Sequence, residues 1–253
     1  MRKPKAKIFF FLLFFLVLSV GSAHAQVSLS DNPDQPLILM FVLAALSLAP
    51  FVLIMVTSFV KISVVLSILR NAMGTQQIPP TQVITGLAFI LTIYIMAPVG
   101  IEIKNQAGDL IDQKTGKSLL SSANANVILE GAKRAAEPLR NFLVKHAHPE
   151  DRALFLDLAR KQRKPEDRAG LTDKDLIILV PSFVISQLKE AFEIGFILFV
   201  PFIIIDMVVS NILLAMGMFM LSPVTVSLPF KLLLFILVDG WYLLARGLVI
   251  GYL

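Results

Sequence analysis

From Leu176 to Leu221 the chain runs for 46 residues in which Gln187, Lys189, Glu190, Glu193, Asp206 and Asn211 are the only strongly polar side chains. As a single α-helix at ~1.5 Å per residue, the tract would reach nearly 70 Å, against a bilayer hydrocarbon core of about 30 Å. It is too apolar to stand in water and too long to cross a membrane once. At least two helices are therefore expected, split near Pro181 or Pro201.

A second overlong tract, Leu37 to Leu69, is broken only by Pro50, Thr57-Ser58, Lys61 and Ser63. Its 33 residues make roughly 50 Å of helix, so Pro50 bends it or part of it packs against protein. The loop "RNAMGTQQIPPTQ" follows with Gly74 and Pro79-Pro80, strong helix breakers. Val83 to Ile101 is uncharged and of span length, and Pro98-Val99-Gly100 reads as its end. Val224 to Leu253 completes four hydrophobic segments and carries Lys231, Asp239 and Arg246, with breaks expected at Pro229 and Gly240. Charged residues make up 16% of the chain, below the roughly one quarter usual in soluble domains, which places it among membrane proteins.

The first 25 residues read as a secretory signal peptide. Arg2, Lys3, Lys5 and Lys7 precede an apolar run from Ile8 to Val20, and Ala23-His24-Ala25 has the small-x-small form of a cleavage site. The chain's formal charge of +5 owes four cations to this leader; beyond it 19 basic residues face 18 acidic ones. A nucleic-acid partner loses its support with them. With no cysteine, disulfides and thiolate sites are excluded, and His146 and His148 read as solvated surface residues.

Residues 26–101 form a first hydrophobic hairpin, 102–175 a polar insert, and 176–253 a second hydrophobic region. The insert holds 14 Lys+Arg and 12 Asp+Glu. Ile128, Ala132, Ala135, Leu139, Phe142 and Leu143 recur at helical spacing, as do Leu154, Phe155 and Leu158, so short amphipathic helices are expected with breaks near Pro138 and Pro149. Glu130, Lys133, Arg134 and Glu137 are spaced for pairs on one solvated face. Thr172 to Asp175 reads as a capping box with Thr172 as N-cap. If the leader is cleaved, two crossings return the chain to the outside for the insert.

Charges within apolar tracts are expensive in lipid, so they face protein or water and usually serve function. Lys61, Lys189, Glu190, Glu193, Asp206, Lys231 and Asp239 are candidates for buried or inter-subunit charges. Lys189 and Glu193 are spaced to pair within one helix, which leaves Glu190 to find a partner elsewhere. Asp206 has Lys231, Arg246 or a second copy of the chain as candidate partners. Trp241 and Tyr242 resemble an interfacial aromatic belt. No phosphate loop, metalloprotease helix or nucleophile elbow is present, so no enzymatic activity, cofactor or metal is expected. An ion-coupled transporter using Asp206, Glu190 and Glu193 at broken helices is one alternative.

Two blocks carry a resemblance to a known family. "SFVKISVVLSILRNAMGTQQIPPTQVITGLAFILTIYIMAPV", Ser58 to Val99, and "FVISQLKEAFEIGFILFVPFIIIDMVVSNILLAMGMFMLSPVTVSLPFKLLLFILVDGW", Phe183 to Trp241, resemble the FliP/SctR (YscR) family of inner-membrane export-gate proteins of flagella and type III secretion injectisomes. "QQIPP", "APVG" and "SNILLAMGM" lean to the injectisome branch, the long insert and "VDGW" to the flagellar one. The resemblance implies an all-α membrane protein of helical hairpins, with its insert on the periplasmic side. It also implies a pentameric homo-oligomer that joins FliQ/SctS-like and FliR/SctT-like subunits in a pore-like complex passing unfolded exported proteins. Overlong apolar tracts with interior charges then suit burial between subunits. Met216, Met218 and Met220 take the positions of a gasket around the closed pore, with Phe219 where the family often has another Met.

Overall fold

A computed structural model describes residues 35–75, 79–112, 125–168 and 170–253. The leader, 1–25, lies outside these residues. Among them the chain is helical, without strands: α1 Gln35–Met55, α2 Phe59–Ala72, α3 Thr81–Asp112, α4 Ala125–His146, α5 Pro149–Gln162, α6 Leu176–Ala215, α7 Pro223–Leu237 and α8 Gly240–Ile250, with a 3-10 turn at Pro165–Asp167. Pro50–Leu253 forms one compact unit, separate from Met1–Ala49.

The expected break of the long tract does not occur. α6 runs 40 residues with Pro181 and Pro201 both inside it. Each proline removes one N–H, whereas a break would strand about four donors and four acceptors in apolar surroundings, so the unbroken helix leaves fewer groups unpaired. The Ser182 and Ser186 hydroxyls fold back onto the Ile178 and Ser182 carbonyls. For the same reason α3 continues through Pro98, α4 through Pro138 and α7 through Pro229, against expectation in each case, and α1 continues through Pro50. The breaks fall elsewhere. One separates α1 from α2 at Val56–Ser58, beside the Thr57-Ser58 pair, and another follows α2 at Gly74, whose φ of +75° suits glycine. Pro149 opens α5 as expected, and the α7–α8 joint bends by 60° before Gly240. The Thr172 box is also corrected: α6 begins three residues later than the box requires, with Asp175 as its N-cap, and the Asp175 carboxylate accepts from Thr172 N–H at 2.9 Å.

α2 buries Ile62, Val65, Leu66, Leu69 and Ala72, a stripe at three- and four-residue spacing that lies along α6. Ala88 of α3, Ala191 and Phe202 of α6, Phe235 of α7 and Leu244 and Leu248 of α8 complete this core. The helices come close where Gly195 of α6 meets Ile68: a Cβ there would stand 2.4 Å from Cδ1, 3.0 Å from Cγ2 and 3.2 Å from Cβ of Ile68. Gly195→Ala is therefore expected to destabilise the fold by about 1–3 kcal/mol through overpacking, read as a lowered melting midpoint in detergent, and Ile68→Ala in the same chain should relieve it.

A second core joins the polar insert to the bundle. Phe142 and Leu143 of α4 and Ala147 pack with Leu179 and Phe183 of α6 and with Tyr252, while Ile95, Met96 and Val99 of α3 pad its edge. The insert is thus an integral layer. α4 lies on α3 and α6, α5 lies on α6, and α3 itself runs past Ile101 to Asp112. Among the described residues two helices are long and apolar enough to cross a membrane, Thr81–Gln106 and Leu176–Ala215, or three if the bent α7–α8 pair is one span.

Candidate functional site: the methionine loop and the ion pairs behind it

The loop after α6 owes its shape to glycine and proline. Gly217 adopts φ +74°, its N–H donates to the Leu214 carbonyl at 3.1 Å, and Met218 N–H donates to the Leu213 carbonyl at 2.9 Å. This is the paired closure of a Schellman motif, which takes up carbonyls left over at the helix end. Pro223 at the first position of α7 then restarts the helix. Between these two devices Met216, Met218, Phe219 and Met220 stand 62%, 42%, 76% and 101% exposed, so within the single chain they support no core.

Behind the loop, Lys231 of α7 is buried to 2% exposure and places its Nζ 2.6 Å from Asp206 Oδ2 and 3.3 Å from the Ala72 carbonyl. Ser227 donates to the other Asp206 oxygen. One ammonium therefore neutralises a carboxylate on α6 and sits at the negative end of the α2 dipole. At the other end of α2, Lys61, also 2% exposed, pairs with Glu190 of α6 and lies 4.6 Å from the Tyr252 ring centre. α2 is pinned to α6 by a lysine at each end.

Glu190 also binds the insert, its Oε1 lying 2.8 Å from His148 Nε2. Around this contact Asp151, 2% exposed, pairs with Lys189 and accepts from the Ser186 hydroxyl at 2.7 Å. His148 N–H donates to Ser186 Oγ at 2.9 Å, Gln187 Nε2 donates to the His146 carbonyl at 3.0 Å, and the Tyr252 hydroxyl donates to Gln187. Burial alone would raise the Asp151 carboxyl, but the hydrogen bonds from Lys189 and Ser186 and the Lys189 charge hold it below its usual range. His146 is half-buried against the rings of Phe142 and Tyr252 and is lowered to about 4, first by desolvation and then by the charges of Lys145 and Lys61.

The insert latch should therefore weaken in acid. A His146 pKa below the value of about 6.5 for a free imidazole means that the undocked state takes up the proton first. Docking is at full strength above that value and is lost as pH falls from 6.5 towards 4. Amide protection across α4 and α5, corrected for the pH dependence of intrinsic exchange, is expected to fall between pH 7 and pH 5, and His146→Phe should flatten the profile.

The structure joins Asp206 to Lys231, one of the partners considered for it, and joins Glu190 to Lys61, for which no partner had been named. It does not join Lys189 to Glu193: the buried Asp151 takes Lys189 instead. Glu193 and Asp239 are exposed and have no ion-pair partner among the described residues, and Arg246 lies 6.0 Å over the Tyr242 ring. His146 and His148 are contact residues, not merely solvated ones. Sequence reading missed Asp151 and Tyr252 as partners. The hydroxyls of Ser182 and Ser186, four residues apart in an apolar tract, were the available signal.

Residues 42–248, which contain the methionine loop and both lysine pins, match the FliP family. The chain belongs to the FliP family. Relatives within it include the Yop proteins translocation protein R of Yersinia pestis, 47% identical over 223 residues, 87% of this chain and 97% of that protein. The flagellar biosynthetic protein FliP of Bacillus subtilis is 46% identical over 220 residues, 87% and 93% of the two chains. The hypersensitivity response secretion protein HrcR of Ralstonia nicotianae is 42% identical over 208 residues, 82% and 93%. FliP family proteins named for secretion and for flagellar assembly thus resemble this chain to a similar degree.

Proposed function

We propose that this protein is a core export-gate subunit of a type III secretion apparatus, part of the channel through which unfolded proteins cross the bacterial inner membrane, and not an enzyme. The observation that carries the proposal is α6. It is about 60 Å long, one side of its first third, as far as Glu190, is bound by the polar helices α4 and α5, and it ends in an exposed methionine loop. A helix tied to a charged domain along its first third does not lie wholly in lipid. That arrangement supports an element standing partly out of the bilayer on the periplasmic side, flanked by other subunits.

In this reading five copies join FliQ-like and FliR-like subunits, and the loops bearing Met216, Met218, Phe219 and Met220 converge as a seal around the closed pore. The transporter alternative loses its ground. Of its three carboxylates Glu190 and Asp206 are each held by a buried lysine, which leaves Glu193 alone without an ion-pair partner among the described residues, and the family is one of secretion components. Native mass spectrometry after mild detergent extraction is expected to give a ring containing two other small membrane proteins; a discrete monomer would refute the gate.

A further inference from the structure

Two opposite charges on the outer faces of the protomer have no counterion among the described residues. Glu193 is exposed on α6, on the side away from Ala191 and Gly195, which meet α2, and from Ile194 and Leu198, which face α8. From it an exposed apolar ridge continues through Ile197, Val200, Ile204 and Met207 at three- and four-residue spacing. Arg246 is exposed on α8, on the side away from the buried Leu244 and Leu248.

Lipid does not suit this ridge. Its start lies about 10 Å along α6 from Ser186, where the polar corner of the insert is bound, so Phe192, Glu193 and Phe196 sit near the level of a charged domain. An unpaired carboxylate facing hydrocarbon is also expensive. We infer that the Glu193 ridge of one copy docks on the α8 face of a second copy, with Glu193 paired to Arg246. Where the α6 ridge of each copy meets the α8 face of the next, the contact is heterologous, a type that forms a ring when the rotation between copies closes. The inference rests on the export-gate reading and names the partner of its ridge.

Charge reversal tests it in the assembled complex. Glu193→Arg and Arg246→Glu are each expected to reduce the ring recovered from membranes by about tenfold, because like charges then face across the interface, and the double variant should restore at least half of it. A wild-type ring together with single variants that have no effect, or a double variant that fails to recover, overturns this pairing and leaves the export gate standing. A monomeric wild type overturns both. Against the objection that a reversed charge simply misfolds the chain, the native absence of cysteine allows a second measurement. Differently tagged Glu193→Cys and Arg246→Cys chains, co-expressed and mildly oxidised, are expected to form a mixed disulfide dimer, and its absence from an assembled ring counts against the contact.

Discussion

Asp206→Ala is expected to destabilise the folded chain by about 3–5 kcal/mol and to abolish secretion, the largest single effect that the structure implies. The reason is the residue left behind. Lys231 is 2% exposed, and its Nζ would be left with only the Ala72 carbonyl as a partner. Removing both partners should therefore be milder than removing one, so Asp206→Ala with Lys231→Met is expected to recover much of the melting midpoint measured in detergent. Recovery of secretion by that double variant would also speak against Asp206 as a proton carrier, because a relay without its carboxylate stays broken. Equal loss in the single and double variants would show that the pair does more than hold α2, α6 and α7 together.

The second large effect separates sealing from folding. Met216, Met218 and Met220 all changed to Ala are expected to leave the melting midpoint nearly unchanged, within the ~0.5 kcal/mol typical of surface substitutions, because none of them packs in the single chain. The resting membrane should nevertheless become leaky to small ions. Flexible, polarizable thioethers can close on one another and still yield to a passing chain, and methyl groups cannot fill the same space. Phe219→Ala should add to the leak. Unchanged conductance in the triple variant would rule out the seal.

The helical class, the apolar segments and the glycine and proline punctuation around the methionine loop were legible in sequence, because they depend on local chemistry. Proline was misread in the other direction. A helix end was expected at one of Pro181 and Pro201, and at Pro98 and Pro138, yet all four lie inside helices, since in apolar surroundings the alternative to a helix is a row of unpaired backbone groups. The Lys231–Asp206 pair could be narrowed to a few partners because charges are scarce in that tract. The Asp151–Lys189 pair could not, because the insert offers many carboxylates and the one chosen depends on how α5 lies against α6.

The unbroken α6 also has a mechanical meaning. Ser186, where the insert is held, and Met218, in the loop, are separated by 32 residues, close to 48 Å of nearly continuous helix at ~1.5 Å per residue. A rod of that length pivoting where α2 crosses it near Gly195 works as a lever. A tilt of about 5° would sweep its far end by some 3 Å, roughly the width of a methyl group, so a small shift in how the insert grips one end is enough to part or press together the side chains at the other.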